Sequence, residues 1–324
     1  MEAVILSGGF GTRLKPITES IPKPLVPLAN RPLVEWVIQA LPPTVDKVVL
    51  SVGYMADAVE EHFRGWEGPR EVAVVREEEP LGTGGGLKNA EKHLGTMFVV
   101  MNGDVISSVD VGEMVEYHIK KEAETTIALW EVEDVSAYGA VALDSDMRIR
   151  SFVEKPDHAS APSRMINAGV YVMSHEVLDL MEPGRACSLE RDVFPEIARR
   201  QSLYGFRFAG HWVDAGTREN FLRANALLIR DAVPDVKEPG VSYTPPVLMG
   251  DGTVIEPGAE IGPNVTLGDR VWVASDAKIQ NAVIMDGTSV GPGAVVTDSV
   301  IGRGSMLQEG VRVDREIIGC GVAV

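Results

Sequence analysis

The sequence predicts an α/β chain in two parts: a doubly wound, Rossmann-like, mostly parallel sheet, then a parallel β-helix of hexapeptide repeats. Three observations carry that prediction. Strand-like runs at residues 3–6, 48–52, 72–75 and 97–101 are apolar apart from Ser51, as expected of strands covered on both faces. Helical stretches lie between them, which argues for a parallel sheet wound on both sides. After a proline-rich stretch, aliphatic side chains recur every six positions, the period of a parallel β-helix with three six-residue sides per coil. The expected boundaries are a first domain over 1–232, a linker over 233–247 and a repeat domain over 248–324.

The first element is the strand at 3–6, which runs into Ser7, Gly8, Gly9, Phe10, Gly11, Thr12, Arg13 and Leu14. Glycines let backbone N–H groups approach an anion closely, and a helix starting just after them adds the favourable end of its dipole. An ordinary strand-to-helix turn fits the glycines equally well. Arg13, with Lys23-Pro24 nine residues past Leu14, supplies cations and favours phosphate. A Walker A loop is excluded because Gly11 is followed by Thr12 and Arg13 rather than Lys and Ser or Thr. A dinucleotide fingerprint is excluded because Leu14 stands where its third glycine belongs.

The run GGFGTRL, followed by Lys23-Pro24-Leu25-Val26-Pro27 and Arg31-Pro32-Leu33, resembles the signature of the sugar-1-phosphate nucleotidyltransferases, the nucleotide-sugar pyrophosphorylases. Its spacing is close to the family pattern GGxGTRLxPxTxxxxKPxxPxxxxPxx. The resemblance implies a catalytic role for Arg13, Lys23 and Asp104. It also implies a nucleotide cradle of Leu6, Gly8, Gly9, Gly11 and Thr12, and a left-handed sense for the repeat helix.

Later elements follow in order. Leu33, Val34, Val37, Ile38 and Leu41 make one helical stripe, and residues 87–94 another short helix. Between strand and helix, Glu77-Glu78-Glu79-Pro80-Leu81-Gly82-Thr83-Gly84 is similar to the family's base-binding loop, which implies nucleotide contacts from Glu79, Pro80, Gly82 and Thr83. Its small residues are expected to lie flat against a base, although Gly84-Gly85-Gly86 departs from the family pattern. Asn102-Gly103-Asp104 closes an apolar strand, and so lies at the carboxyl end of a parallel sheet, where ligands bind.

His211-Trp212-Val213-Asp214-Ala215-Gly216-Thr217 resembles the family's W-x-D-x-G-T segment. With Asp104, Asp214 is then the second carboxylate of a hard, oxygen-rich Mg²⁺ site. Its alternative role is that of a turn or cap residue before a helix near Thr217. The resemblance further assigns Asn102, Gly103, Gly139, Glu154, Lys155, Asn167 and Gly169 to the sugar phosphate. Glu154 suits hexose hydroxyls, Lys155 the 1-phosphate, and the glycines leave room for the ring.

In the repeats, Ile255, Ile261, Leu267, Val273 and Ile279 keep a strict six-residue step; Ile284, Val290 and Val296, then Ile301, Leu307 and Val313, resume it after two shifts. That amounts to about three to four coils. Hexapeptide helices also carry acyltransferases, but all six histidines lie at or before His211, leaving the repeats without an imidazole base. Oligomer contacts are the expected role of the repeats, since a stacked array leaves an end to be covered.

Composition agrees with a cytoplasmic enzyme. The 324 residues are 45% hydrophobic, enough for a large core, and the two cysteines, Cys187 and Cys320, form no metal or disulfide pattern. No apolar run is long enough to span a membrane. A formal net charge of −17 argues against nucleic acid or anionic lipid as partners, while local cations and a divalent metal still admit a small anionic substrate.

The expected reaction joins a hexose 1-phosphate to an NTP, giving an NDP-sugar and pyrophosphate, with mannose 1-phosphate and GTP favoured by the whole architecture. Glucose 1-phosphate with dTTP or UTP is the alternative. A non-catalytic subunit that binds nucleotide sugars is an alternative of another class.

Overall fold

The computed structural model describes residues 1–157, 160–234 and 238–324. The chain divides into two compact units, Met1–Gly9 with Val37–Trp212, and Phe10–Trp36 with Val213–Val324.

The first unit is built on a nine-stranded sheet. Its strands are β1 (Glu2–Ser7), β2 (Lys47–Val52), β3 (Glu71–Arg76), β4 (Met97–Asn102), β5 (Thr125–Glu131), β6 (Gly139–Leu143), β7 (Ile149–Glu154), β8 (Met165–Ser174) and β9 (Leu203–Arg207). The main path runs β7-β6-β8-β4-β1-β2-β3, with β5 paired to β8 and β9 to β5. From β4 to β3 every pairing is parallel. Beyond β4 the sheet turns mixed, because β8 runs antiparallel to β4, β5 and β6. The doubly wound reading therefore holds most strictly for the half that carries the glycine loop.

Consecutive residues of β1 and β2 are buried with no alternation, Ala3, Val4, Ile5, Val48, Val49 and Leu50 all being fully inaccessible. This is why their sequences read as unbroken apolar runs. The helices packed on the sheet are α2 (Ala56–Phe63), α3 (Gly82–Asn89), α4 (Val111–Lys121) and α5 (Phe194–Arg199), while α1 (Leu33–Gln39) begins in the second unit and ends in the first. The α1 stripe of Leu33, Val34, Val37 and Ile38 is buried as expected. The helix expected over 87–94 starts earlier, at Gly82, and ends at Asn89 before a separate 3-10 turn, Glu91–His93.

In the second unit, three sheets of short parallel strands stack into a β-helix, five strands deep in two sheets and four in the third. The stack is consistent with the left-handed form. Every aliphatic residue of the six-residue pattern, from Ile255 to Val313, is at most 3% exposed and points into one core. The two shifts in that pattern have a local cause. Between Ile261 and Val265 the corner is Gly262-Pro263-Asn264, whereas Ile279 to Ala282 needs only Gln280-Asn281, so the coil is one residue shorter. Asn264, Asn281 and Asp298 take the left-handed conformation at this corner, which Asn and Asp tolerate best after glycine.

The stack is also longer than the three to four coils expected. Its first strands are Ser242–Tyr243, within the stretch read as linker, and Val247–Met249, which begins at that stretch's last residue; both lie upstream of the recognisable period. The remainder of that linker includes 235–237, which lie outside the described residues. The same unit contains α6 (Arg218–Leu228), capped by Thr217 Oγ1, which accepts from Asn220 N at 3.3 Å.

Candidate active site

Strand order places the first group of candidates. β1 is flanked by β4 on one side and β2 on the other, so winding reverses between β1 and β4, the switch point beside whose carboxyl ends open α/β sheets bind ligands. Leu6 and Asn102 sit opposite each other in register there. Gly103 N donates to Leu6 O at 2.9 Å, and a Cβ on Gly103 would lie 2.2 Å from Ser7 Oγ. Ser7 Oγ is itself shielded from solvent with no hydrogen-bond partner among the described residues. Asp104 follows, half-buried.

Gly8 is held close by a residue that sequence reasoning passed over. A Cβ on Gly8 would lie 2.5 Å from Glu77 Oε1 and one on Gly86 would lie 2.7 Å from the same oxygen. Glu77 Oε1 accepts from Ser51 Oγ at 2.7 Å, and Oε2 accepts from Leu81 N at 3.2 Å. Of the acidic run, Glu77 turns inward while Glu78, Glu79 and Pro80 are exposed. The one available signal was its position at the strand end, before the glycines. Gly9 is exposed and has no neighbour where a Cβ would be.

The expectation that the segment through Gly84 lies flat as a loop is corrected. Gly82, Thr83 and Gly84 open α3. Its glycines instead admit another segment, since Cβ atoms on Gly82 and Gly85 would lie 2.7 Å from Cys187 O and Arg185 O respectively. Cys187 O accepts from Gly84 N and Gly85 N at 2.9 and 3.2 Å. Thr83 Oγ1 donates to Glu190 Oε2 at 2.7 Å and accepts from Leu189 N at 2.9 Å. Glu190 was likewise not anticipated.

Of the sugar-phosphate candidates, Asn102, Asn167 and Gly169 meet at a bulge in β8. Register breaks between Asn167 and Tyr171, where Gly169 has φ +74° and a Cβ on it would strike Asn102 Nδ2 at 2.7 Å. Asn167 Nδ2 donates to Tyr171 Oη and Asn167 Oδ1 accepts from Gly169 N, both at 2.9 Å. Gly139 pairs with Glu154 across β6 and β7. Burial, then the nearby carboxylate of Glu190, push the Glu154 carboxyl above its ordinary value, against the opposing pull of Lys155. Lys155 is exposed, 3.8 Å from Glu154, at φ 49°. Tyr138 packs edge-on against Trp212, whose Nε1 donates to Ala168 O at 2.9 Å.

The remaining candidates belong to the second unit. The helix expected after the glycine loop is absent; Thr12–Leu14 is a single 3-10 turn, so no helix dipole aids anion binding there. Gly11, at φ +62°, has room only for hydrogen, because a Cβ would lie 2.9 Å from Thr18 Cγ2 and 3.1 Å from Lys23 Cβ. Thr18 Oγ1 donates to Gly11 O at 2.9 Å. Thr12 is exposed and Lys23 half-buried. Arg13 reaches Asp214, with Nη2 3.8 Å from Oδ2, while Asp214 Oδ1 accepts from Gly216 N at 2.8 Å. Asp214 therefore does form a turn before α6, and its other oxygen faces a cation.

For a metal, the donor chemistry fits a hard divalent ion. Asp104 and Asp214 offer carboxylate oxygens, and no cluster of three or more His, Cys, Asp or Glu able to hold an ion occurs among the described residues.

The family model described as Nucleotidyl transferase matches residues 2–231, and one described as GMPPB C-terminal domain matches 243–324. A mannose-1-phosphate guanylyltransferase of Mycobacterium tuberculosis is 36% identical over 100% of this chain and 81% of its own. Mannose-1-phosphate guanylyltransferase 1 of Arabidopsis thaliana is 35% identical over 98% and 90%. Among solved structures, HddC from Yersinia pseudotuberculosis, complexed with GMP-PN, aligns at TM-score 0.58 and 30% identity, covering 70% of this chain and 99% of that one. A putative glucose-1-phosphate thymidylyltransferase from Bacillus anthracis aligns at TM-score 0.65 and 26% identity, covering 73% and 98%. No helix among the described residues is long and apolar enough to cross a membrane. With its signature loop on a switch-point sheet and a family match that spans most of its length, this chain belongs to the nucleotidyl transferase family.

Proposed function

We propose that the chain is a sugar-1-phosphate nucleotidyltransferase that joins mannose 1-phosphate to GTP, releasing pyrophosphate and forming GDP-mannose. The observation that carries the reading is likeness to mannose-1-phosphate guanylyltransferases at 35–36% identity along essentially the whole chain, repeats included. An oxygen of the sugar 1-phosphate attacks the α-phosphorus of the nucleotide in line; one P–O bond forms as the bond to pyrophosphate breaks. The nucleophile is already anionic, so the protein needs no general base and acts by positioning and charge neutralisation.

Arg13 takes the leaving pyrophosphate, Lys23 the α-phosphate and Lys155 the 1-phosphate, while Glu154 accepts from hexose hydroxyls. The backbone at Gly8, Gly9, Gly11 and Thr12 cradles the triphosphate. Leu6, Glu79, Pro80, Gly82 and Thr83 are assigned to the nucleotide, and Asn102, Gly103, Gly139, Asn167 and Gly169 to the sugar phosphate. The carboxylates of Asp104 and of Asp214 would offer oxygen ligands to Mg²⁺, which would supply neutralisation of the phosphate charge. Activity is carried out in the cytoplasm, and copies of the chain associate through the β-helix.

The test is a matrix of GTP, dTTP, UTP and ATP against mannose, glucose and glucosamine 1-phosphates, with pyrophosphate release read with Mg²⁺ and with chelator. GTP with mannose 1-phosphate is expected to be fastest, and chelation is expected to abolish it. A preference for dTTP or UTP with glucose 1-phosphate moves the reading to the alternative. Nucleotide-sugar binding without any pyrophosphate release makes the chain a non-catalytic subunit.

A further inference from the structure

The segment that carries Arg13 and Lys23 is grouped with the repeat domain: Phe10–Trp36 and Val213–Val324 form one compact unit. Three sets of contacts account for this. Leu14, Ile17 and Val26 meet Phe221 of α6 and Val300 and Ile317 of the β-helix around a gap with no room for a water molecule. Gly319, in the last coil, lies against Pro16, with a Cβ there only 3.2 Å from Pro16 Cγ.

The third set is polar and converges on one buried side chain. Asn225 of α6 is fully inaccessible, and its Oδ1 accepts from Ala29 N at 3.1 Å and from Thr266 Oγ1 of the β-helix at 3.0 Å. The next residue, Asn30, donates through Nδ2 to Leu267 O at 2.7 Å. Ala29 and Asn30 form the turn of the hairpin between Pro27–Leu28 and Arg31–Pro32, at φ 49° and 57°. Alanine disfavours that conformation, and it persists where surrounding contacts over-determine it. From this hairpin, Val26 N reaches back to Lys23 O at 3.1 Å, and Lys23 packs against Gly11.

We propose that the β-helix is the platform that sets the position of the Arg13/Lys23 loop, and that Asn225 is the positioning residue joining them. The proposal rests on the roles given to Arg13 and Lys23 above, and its consequence is that the repeats act in catalysis through the loop without touching substrate. A small displacement of reacting groups costs far more rate than binding, on the order of a hundredfold for about 1 Å.

The variants Asn225→Leu, Thr266→Val and Asn225→Asp separate positioning from stability. Asn225→Leu deletes the shared acceptor, Thr266→Val removes only the hydroxyl of the β-helix, and Asn225→Asp keeps the acceptor while losing an Nδ2 that has no partner. For Asn225→Leu, kcat is expected to fall about ten- to a hundredfold, with KM for the sugar 1-phosphate nearly unchanged. Thr266→Val follows the same pattern at smaller amplitude, and Asn225→Asp restores most of kcat. Amide exchange, measured on the full chain, is expected to accelerate about tenfold or more across residues 10–30 and not across 97–104.

Folded Asn225→Leu and Thr266→Val proteins with unchanged exchange over 10–30 overturn the proposal. If Asn225→Leu does not fold, the near-isosteric Thr266→Val decides alone. Wild-type protein without turnover counts against the functional reading, while the exchange result still decides this one.

Discussion

Gly216 shows how much of the candidate site depends on one missing methyl group. A Cβ there would lie 2.4 Å from Arg13 Nη2 and 2.7 Å from Asp214 Oδ1, so the glycine is what lets guanidinium and carboxylate meet. The Arg13 side chain is 58% exposed and flexible enough to swing away, which makes Gly216→Ala a mild change to the fold and a large one to the pair. Arg13→Ala is expected to lower turnover by about two to three orders of magnitude, the scale of one lost transition-state contact. Gly216→Ala should lower it by about tenfold or more, and the double variant should be little worse than Arg13→Ala alone. Steady-state rates of the three proteins test this; additive losses would mean that Gly216 acts elsewhere. Glu77 works by the same logic of close approach, filling the space that Gly8 and Gly86 leave.

At the scale of elements, α3 and α4 show opposite uses of a helix. Its glycines weaken α3 as a helix former, yet Gly82, Gly84 and Gly85 let backbone from 185–187 lie directly on it, exchanging propensity for contact. Helix α4 is anchored by His118, which is buried against β5 and β8, with Nδ1 3.0 Å from Thr126 Oγ1 and Nε2 3.5 Å from Ser174 Oγ. Burial lowers the His118 pKa from 6.5 to about 4. The unfolded chain therefore binds this proton more readily than the folded one, so the stabilising contribution is present above about pH 6.5 and is lost as pH falls toward 4. Urea midpoints for His118→Asn should fall less steeply than wild type across that window, while an unchanged slope would place the acid sensitivity in other groups.

Across the whole molecule, the β-helix does more than extend the chain. Its third sheet carries an outward row of Val254, Trp272, Ser289 and Met306, with Val254 54%, Trp272 40% and Met306 57% exposed. Exposed apolar rows of this kind mark association surfaces, and a second copy is the occupant that matches the self-association proposed for the repeats. Light scattering should report more than one chain per particle for the wild type and a single chain for Trp272→Glu; an unchanged mass would assign association to another face.

The sequence by itself determined the fold class, since apolar runs and a six-residue period are local patterns, whereas the antiparallel half of the sheet was set only by tertiary pairing. The offsets of Arg13, Lys23 and the prolines, read along the chain, also carried the likeness to the nucleotidyl transferase family. Tertiary structure alone decided which residues those groups rest on. Glu77 and Glu190 look like any acidic turn residues until the bare glycines of α3 and the hydroxyl of Thr83 are placed against them. Asn225, an ordinary helical residue in the sequence, gains its role from Ala29 and Thr266, 196 and 41 positions away. Contacts at such separations leave no periodic trace, because only the folded chain brings the donors to one acceptor.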